Sequence, residues 1–181
     1  MHVQLTLTTP RLILRPFTVS DASDVHVLVS AREVAALAAN IPHPYQQGMA
    51  ERWIATHESA YTTGLGVTFA ITQRVDERLC GAINFIINRD HHNAELGYWI
   101  GLPYWNQGYA TEAARELIQY GFSHLDLHRI YASHLGRNLA SGRVMQKVGM
   151  RYEGCLRQHF LKWGVYEDVM YYGVIRNEFS A

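Results

Sequence analysis

Between a strand-like run ending at Leu102 and an alanine-rich helical stretch lies the segment Pro103-Tyr104-Trp105-Asn106-Gln107-Gly108-Tyr109-Ala110. A strand, a turn and a helix in that order leave the first amides of the helix without internal acceptors, and those amides carry partial positive charge. Gly108 has no Cβ, so an anion can approach the backbone there, and Ala110 keeps the next exit small. The backbone of Gly108, Tyr109, Ala110 and Thr111, flanked by Gln107, is therefore a candidate cradle for a phosphate group, built from converging N–H donors and needing no lysine. Each such contribution is only about 0.3–1 kcal/mol, so the ligand has to be extended and touch the protein at many points. The turn has neither the G-x-x-x-x-G-K-[ST] nor the G-x-G-x-x-G pattern of nucleotide sites. Spacing alone leaves open that Gly108 merely starts a tightly packed helix, and it does not name the ligand.

The elements that would position this turn are legible from periodicity. Leu12 to Pro16 reads as a short strand closed by proline. Ser20 is a candidate cap for a helix over Asp21 to Val29, with a second piece over Arg32 to Ala38. The Ile41-Pro42-His43-Pro44 break precedes one helix from Gln46 to Thr62. Leu65, Val67, Phe69 and Ile71 alternate with smaller or polar residues, and strands over 79–88 and 94–102 follow after polar turns, which predicts an antiparallel meander. Ala110, Ala113, Ala114, Leu117, Ile118 and Gly121 form one continuous helical face, small enough to lie close against a sheet. A strand over Arg129 to Leu135 and a helix over Asn138 to Val148, ended by Gly149, come next. A hairpin pairs Arg151 to Lys162 with Val165 to Ile175 about Trp163-Gly164. The order describes one mixed α/β domain over 1–181 with a largely antiparallel sheet.

Composition excludes several function classes. Sixteen basic and sixteen acidic residues cancel, so no net field favours nucleic acid or an anionic membrane surface. The aromatics lack the basic interleaving of a nucleic-acid platform. No stretch approaches the ~20 apolar residues of a membrane span. Cys80 and Cys155 lie outside any C-x-x-C spacing, and no signal peptide is expected at the amino terminus, which together suggest a soluble, cytoplasmic protein. His124 and His128 have i, i+4 spacing and His91-His92 are adjacent, but no acidic or cysteine ligand falls at matching intervals, so no metal site is expected.

Four segments taken together resemble the GCN5-related N-acetyltransferase (GNAT) superfamily, and within it the ribosomal-protein alanine N-acetyltransferase group. They are TPRLILRPFTVSDA (9–22), AELGYWIGLPYWNQGYATEA (94–113), NLASGRVMQKVGM (138–150), and EGCLR with the later G-x-x-x-D (153–168). They run in the family's order over nearly the whole chain. Gly108 and Ala110 match the last two fixed positions of the family's Q/R-x-x-G-x-G/A signature; Trp105 stands where Gln or Arg is usual, as an aromatic does in related alanine acetyltransferases. The resemblance implies acetyl-CoA as cofactor, with its pyrophosphate on the turn. It also implies a central sheet splayed between the strand ending near Leu102 and the one starting at Arg129. The pantetheine arm would enter that gap and pair with backbone around Ile100 to Leu102, and a backbone N–H near Ile100 would meet the oxyanion. Asn138 and Ser141 match the family's N-x-x-S, which implies that Asn138 holds the pantetheine and Ser141 reaches the sulfur; an amino-terminal helix cap by Asn138 is the alternative.

The implied reaction moves acetyl to a primary amine by direct attack in a ternary complex. Glu95, on the strand leading into the turn, is the first candidate base, acting through a water, against the alternative of an ordinary solvent-facing carboxylate. His159 and Asp168, in the hairpin that the family uses for its acceptor pocket, are weaker candidates; a surface histidine and a structural hydrogen-bond acceptor are their alternatives. The expected acceptor is a protein amino terminus, and a small-molecule amine or a non-catalytic CoA-binding module stay open, as does a monomer or a homodimer.

Overall fold

The computed structural model describes residues 4–180; Ala181 and the first three residues of the amino-terminal segment read above lie outside that range. Its strands are β1 (Leu7–Thr8), β2 (Leu12–Arg15), β3 (Gly66–Gln73), β4 (Leu79–Asn88), β5 (Asn93–Ile100), β6 (Arg129–Leu135), β7 (Arg151–Lys162) and β8 (Val165–Ile175). The helices are α1 (Ala22–Val29), α2 (Arg32–Leu37), α3 (Met49–Ala55), α4 (His57–Thr63), α5 (Tyr109–His124) and α6 (Leu139–Lys147). One sheet runs in the order β1-β2-β3-β4-β5-β6-β8-β7. Every pairing is antiparallel except β5 with β6.

Strand alternation sorts side chains to two faces. On one, Phe69, Ile71, Ile83, Phe85, Leu96 and Ile130 pack under α5 and α6. On the other, Ala70, Leu79 and Trp99 meet α1 and α3. The expected small-residue face of α5 is the buried one: Ala113, Ala114, Leu117 and Ile118 are fully enclosed. Gly121 shows why that face is small, since a Cβ there would come within 2.8 Å of the Phe85 ring. Gly149 (φ +86°) follows α6, and Trp163 and Gly164, both at positive φ, turn the β7–β8 hairpin.

Three boundaries differ from the sequence reading. Thr18, not Ser20, begins the first helical segment, because Asp21 turns back to accept from the Thr18 amide (2.8 Å) and hydroxyl (3.1 Å) in a capping box. The helix expected over 46–62 is two: the Thr56 amide and hydroxyl both bond to Trp53 O (3.1 and 2.7 Å), tightening the turn between α3 and α4. The strand expected to reach Leu102 stops at Ile100, and Leu102–Tyr104 form a 3₁₀ turn with proline in its first turn.

Candidate active site

The segment joining β5 to α5 reverses through two left-handed residues, Asn106 (φ +60°) and Gly108 (φ +79°). Gly108 adopts this conformation without a Cβ clash, and Asn is among the few other residues that tolerate it. The first backbone bond inside α5 runs from Glu112 N–H to Gly108 O (3.0 Å), so the amides of Tyr109, Ala110 and Thr111 have no acceptor within the helix. Asn106, Gly108, Tyr109, Ala110 and Thr111 all line one cavity of about 320 Å³. Arg143 and Lys147, one turn apart on α6, line the same cavity and add positive charge to the helix amides.

Several bonds hold the turn in shape. Trp105 Nε1 donates to Ile100 O (2.7 Å), and Gln107 Nε2 donates to Pro103 O (3.1 Å). Arg11, reaching over from the start of β2, donates from Nη1 to Gln107 O (2.9 Å) and from Nε to Glu112 Oε2 (2.7 Å), with its guanidinium 4.9 Å above the Tyr109 ring. Thr9 Oγ1 donates to the other Glu112 oxygen (2.6 Å). Burial by itself would raise the Glu112 carboxyl, but Thr9, the Arg11 amide and the Arg11 guanidinium outweigh it and hold the group below its ordinary value. A depressed carboxyl stabilises the fold above its unfolded pKa, ~4.3, and loses that contribution as pH falls through the folded value. Glu112→Gln should therefore melt lower than wild type near neutral pH, with the gap closing as pH falls below about 4. Thermal scans across pH would check this; a gap of constant size down to acid pH would assign the effect to shape rather than charge.

Beyond the turn the sheet opens. β5 and β6 pair only at Asn93–Arg129, Ala94–Ile130 and Glu95–Tyr131. Gly101 N–H bonds to Cys80 O (2.8 Å), so by antiparallel alternation Ile100 and Tyr98 aim their own N–H and C=O groups away from β4 and into the gap. The Ile100 carbonyl is met there by the Trp105 indole, which gives the aromatic in the signature a physical role and leaves the Ile100 N–H as the group facing the gap.

Ser141 and Asn138 lie across the opening. Ser141 is 9% exposed and lines the cavity. Asn138 has both side-chain groups engaged: Oδ1 accepts from Ser141 N–H (3.1 Å), and Nδ2 donates to Leu37 O (3.2 Å). Its side chain thus acts as the cap of α6 and ties α6 to the end of α2, so any hold on pantetheine competes with bonds already made.

Other expected residues are placed differently. Leu102, 41% exposed, and Gln107 are outside the cavity lining; the 3₁₀ turn carries Leu102 off the strand, and Gln107 is turned onto Pro103. Glu95 is also outside it, on the face of β5 opposite Tyr98 and at the point where β5 is still paired with β6, across from Tyr131. Glu95 is half-buried with Ser133 Oγ 3.4 Å from its carboxylate, and burial, together with the Glu95 and Tyr171 charges, raises the neighbouring Tyr131 phenol. His159 and Asp168 lie away from the cavity, and Asp168 Oδ1 accepts the Gln158 amide (2.8 Å) in a bulge of β7.

Sequence reasoning missed Tyr98, Arg143 and Lys147. Period-two spacing from Ile100 to Tyr98, and the 140-143-144-147 stripe on α6, would have pointed to them.

The acetyltransferase (GNAT) domain family matches residues 11–151. An uncharacterised N-acetyltransferase of Bacillus subtilis, YoaA, is 33% identical over 171 residues, 94% of this chain and 96% of its own. The [ribosomal protein uS5]-alanine N-acetyltransferase of Escherichia coli is 27% identical over 128 residues, 70% of this chain and 66% of its own. A GNAT acetyltransferase structure from Bacillus anthracis superposes with a TM-score of 0.86 at 28% identity, over 96% of this chain and all of that one. With its splayed strands, unpaired helix amides and flanking cations suited to an extended anionic thioester, the chain belongs to the GNAT N-acetyltransferases, which take their acetyl group from acetyl-CoA.

Proposed function

We propose that the acceptor is the free α-amino group of a protein or peptide, acetylated by direct attack on the thioester in a ternary complex. The observation that carries this reading is the position of Glu95 on the face of β5 opposite the one that Tyr98 turns to Ser141, where the Ser133 hydroxyl (3.4 Å) is the one hydrogen-bond donor to its carboxylate among the described residues. A donor lying in the β5–β6 gap would have Ser141 on one side and an amine approaching Glu95 on the other. A half-solvated carboxylate acting through water is a modest base. It suffices for an α-amine, whose pKa near ~7.7–8.0 leaves roughly a tenth neutral at pH 7; a lysine amine, near ~10.4, is neutral only about once in a few thousand. The likeness to the uS5-alanine enzyme supports the same acceptor class.

The test pairs a peptide beginning with alanine with its amino-terminally blocked twin carrying one internal lysine. Mass spectrometry should find acetyl only at the free terminus. Faster modification of the blocked peptide, or of a polyamine or amino acid, would replace this reading with a lysine or small-molecule acceptor.

A further inference from the structure

The phenol of Tyr98 lies 2.7 Å from Ser141 Oγ and 3.2 Å from Ser141 O, and both residues line the cavity at the β5–β6 opening. A serine hydroxyl has one hydrogen to donate and two lone pairs to accept with. Near the start of a helix that hydrogen is readily spent on a backbone carbonyl one turn back. A phenol is the stronger donor of the two hydroxyls, and loss of water around Tyr98 pushes its pKa up to about 12, so it keeps its proton. The phenol has a single hydrogen, within reach of both Ser141 Oγ and Ser141 O, and either hydroxyl can be the donor of the 2.7 Å bond; with Tyr98 donating to Oγ, the Ser141 hydrogen is left to point into the cavity. Asn138 completes the arrangement from the other side by fixing the Ser141 amide (3.1 Å).

We propose that Tyr98 is a positioning residue for acetyl transfer, orienting the Ser141 hydroxyl toward the departing coenzyme A sulfur. This rests on the reading that Ser141 faces that sulfur. In the step itself the amine nitrogen bonds to the acetyl carbon and the carbon–sulfur bond breaks. The electron pair leaves with the sulfur, and the thiolate accepts a hydrogen bond from Ser141 Oγ–H. The surplus proton of the new amide nitrogen goes to water on the Glu95 side, and the thiolate takes its own proton from solvent on release. Ser141 and Tyr98 both keep their protons.

The experiment is a double-mutant cycle with Tyr98→Phe, Ser141→Ala and the pair, read as thiol release from acetyl-CoA with whichever amine the wild type turns over best, so that the outcome does not depend on the acceptor class. Tyr98→Phe keeps the ring, so CoA affinity by calorimetry, KM for the amine and the melting temperature should stay within about twofold or a few degrees of wild type. Turnover should fall about tenfold. Ser141→Ala should fall at least as far, and the double variant should match Ser141→Ala, because Tyr98 acts only through that hydroxyl. Wild-type turnover in Ser141→Ala would overturn the leaving-group reading and the Tyr98 role with it. A slow Ser141→Ala beside a fast Tyr98→Phe, or losses that multiply in the double variant, would overturn the Tyr98 role alone.

Discussion

Gly108→Val should weaken coenzyme A binding by tenfold or more, about 1.4 kcal/mol, while the protein stays folded. The reason is conformational before it is steric. A Cβ added at Gly108 meets only Arg11 Nη2 at 3.4 Å, an ordinary contact, but the residue sits at φ +79°. A β-branched side chain is strained there by roughly 1–2 kcal/mol or more. Valine then has two options. It can leave the left-handed region, which rotates the Tyr109, Ala110 and Thr111 amides off the anion, or it can stay and push its methyl groups toward the space a pyrophosphate needs. Both weaken the same interaction, and neither disturbs the buried face of α5. Isothermal calorimetry with CoA is the measurement, with Gly108→Ala as a milder companion. Unchanged affinity in a folded Gly108→Val protein would move the pyrophosphate elsewhere.

Lys162→Met should lower the melting temperature by roughly 6–12 °C, from the loss of about 3 kcal/mol, and weaken CoA binding. Lys162, at the tip of β7, is 6% exposed, and its Nζ donates to Ala38 O (2.8 Å), Ala39 O (3.1 Å) and Ile41 O (3.0 Å). Arg137 Nη2 reaches Ala36 O (2.9 Å) and Asn138 Nδ2 reaches Leu37 O (3.2 Å). α2 ends at Leu37, so the Ala36 and Leu37 carbonyls are ones that the helix leaves without partners, and Lys162 holds three more in the chain just beyond it. Val34, Leu37 and Ala38 line the cavity, so the clamp sets the position of one wall. Burial, and next the Arg137 charge, lower the Lys162 pKa, which shows that holding an ammonium there has a cost; methionine removes that cost but strands three carbonyls. Lys162→Arg should recover part of the loss. A Lys162→Met protein with wild-type melting temperature and CoA affinity would show that the clamp is dispensable.

Much of this protein follows from local sequence. The alternation of 65–72 and the one-sided small residues from Ala110 to Gly121 each encode an element through contacts a few residues apart, and they come out as β3 and α5. The same is true of Gly149, expected to end α6 and found left-handed at φ +86°. The element order, with the four matching segments, was enough to name the α/β fold and the acetyl-CoA chemistry. Boundaries were harder where two residues could do one job. Thr18 and Ser20 are both capping types, and the Arg15 guanidinium, 2.7 and 2.8 Å from the Asp21 carboxylate, helps hold the cap carboxylate beside Thr18.

The site's working contacts were decided by the tertiary structure. Tyr98 and Ser141 are 43 residues apart, Arg11 and Glu112 are 101, and Lys162 and Ala38 are 124. Nothing in the local pattern around any of these residues names its partner. The parallel pairing of β5 with β6 stops after three residue pairs, and that opens the gap. Alternation along β5 then turns Tyr98 toward Ser141 and Glu95 toward Ser133, so two residues three apart in the chain face opposite sides of the opening. Which strand becomes the neighbour of β5, and where their pairing ends, depends on the packing of α5 and α6 across the whole sheet, and a sequence read locally carries no term for that.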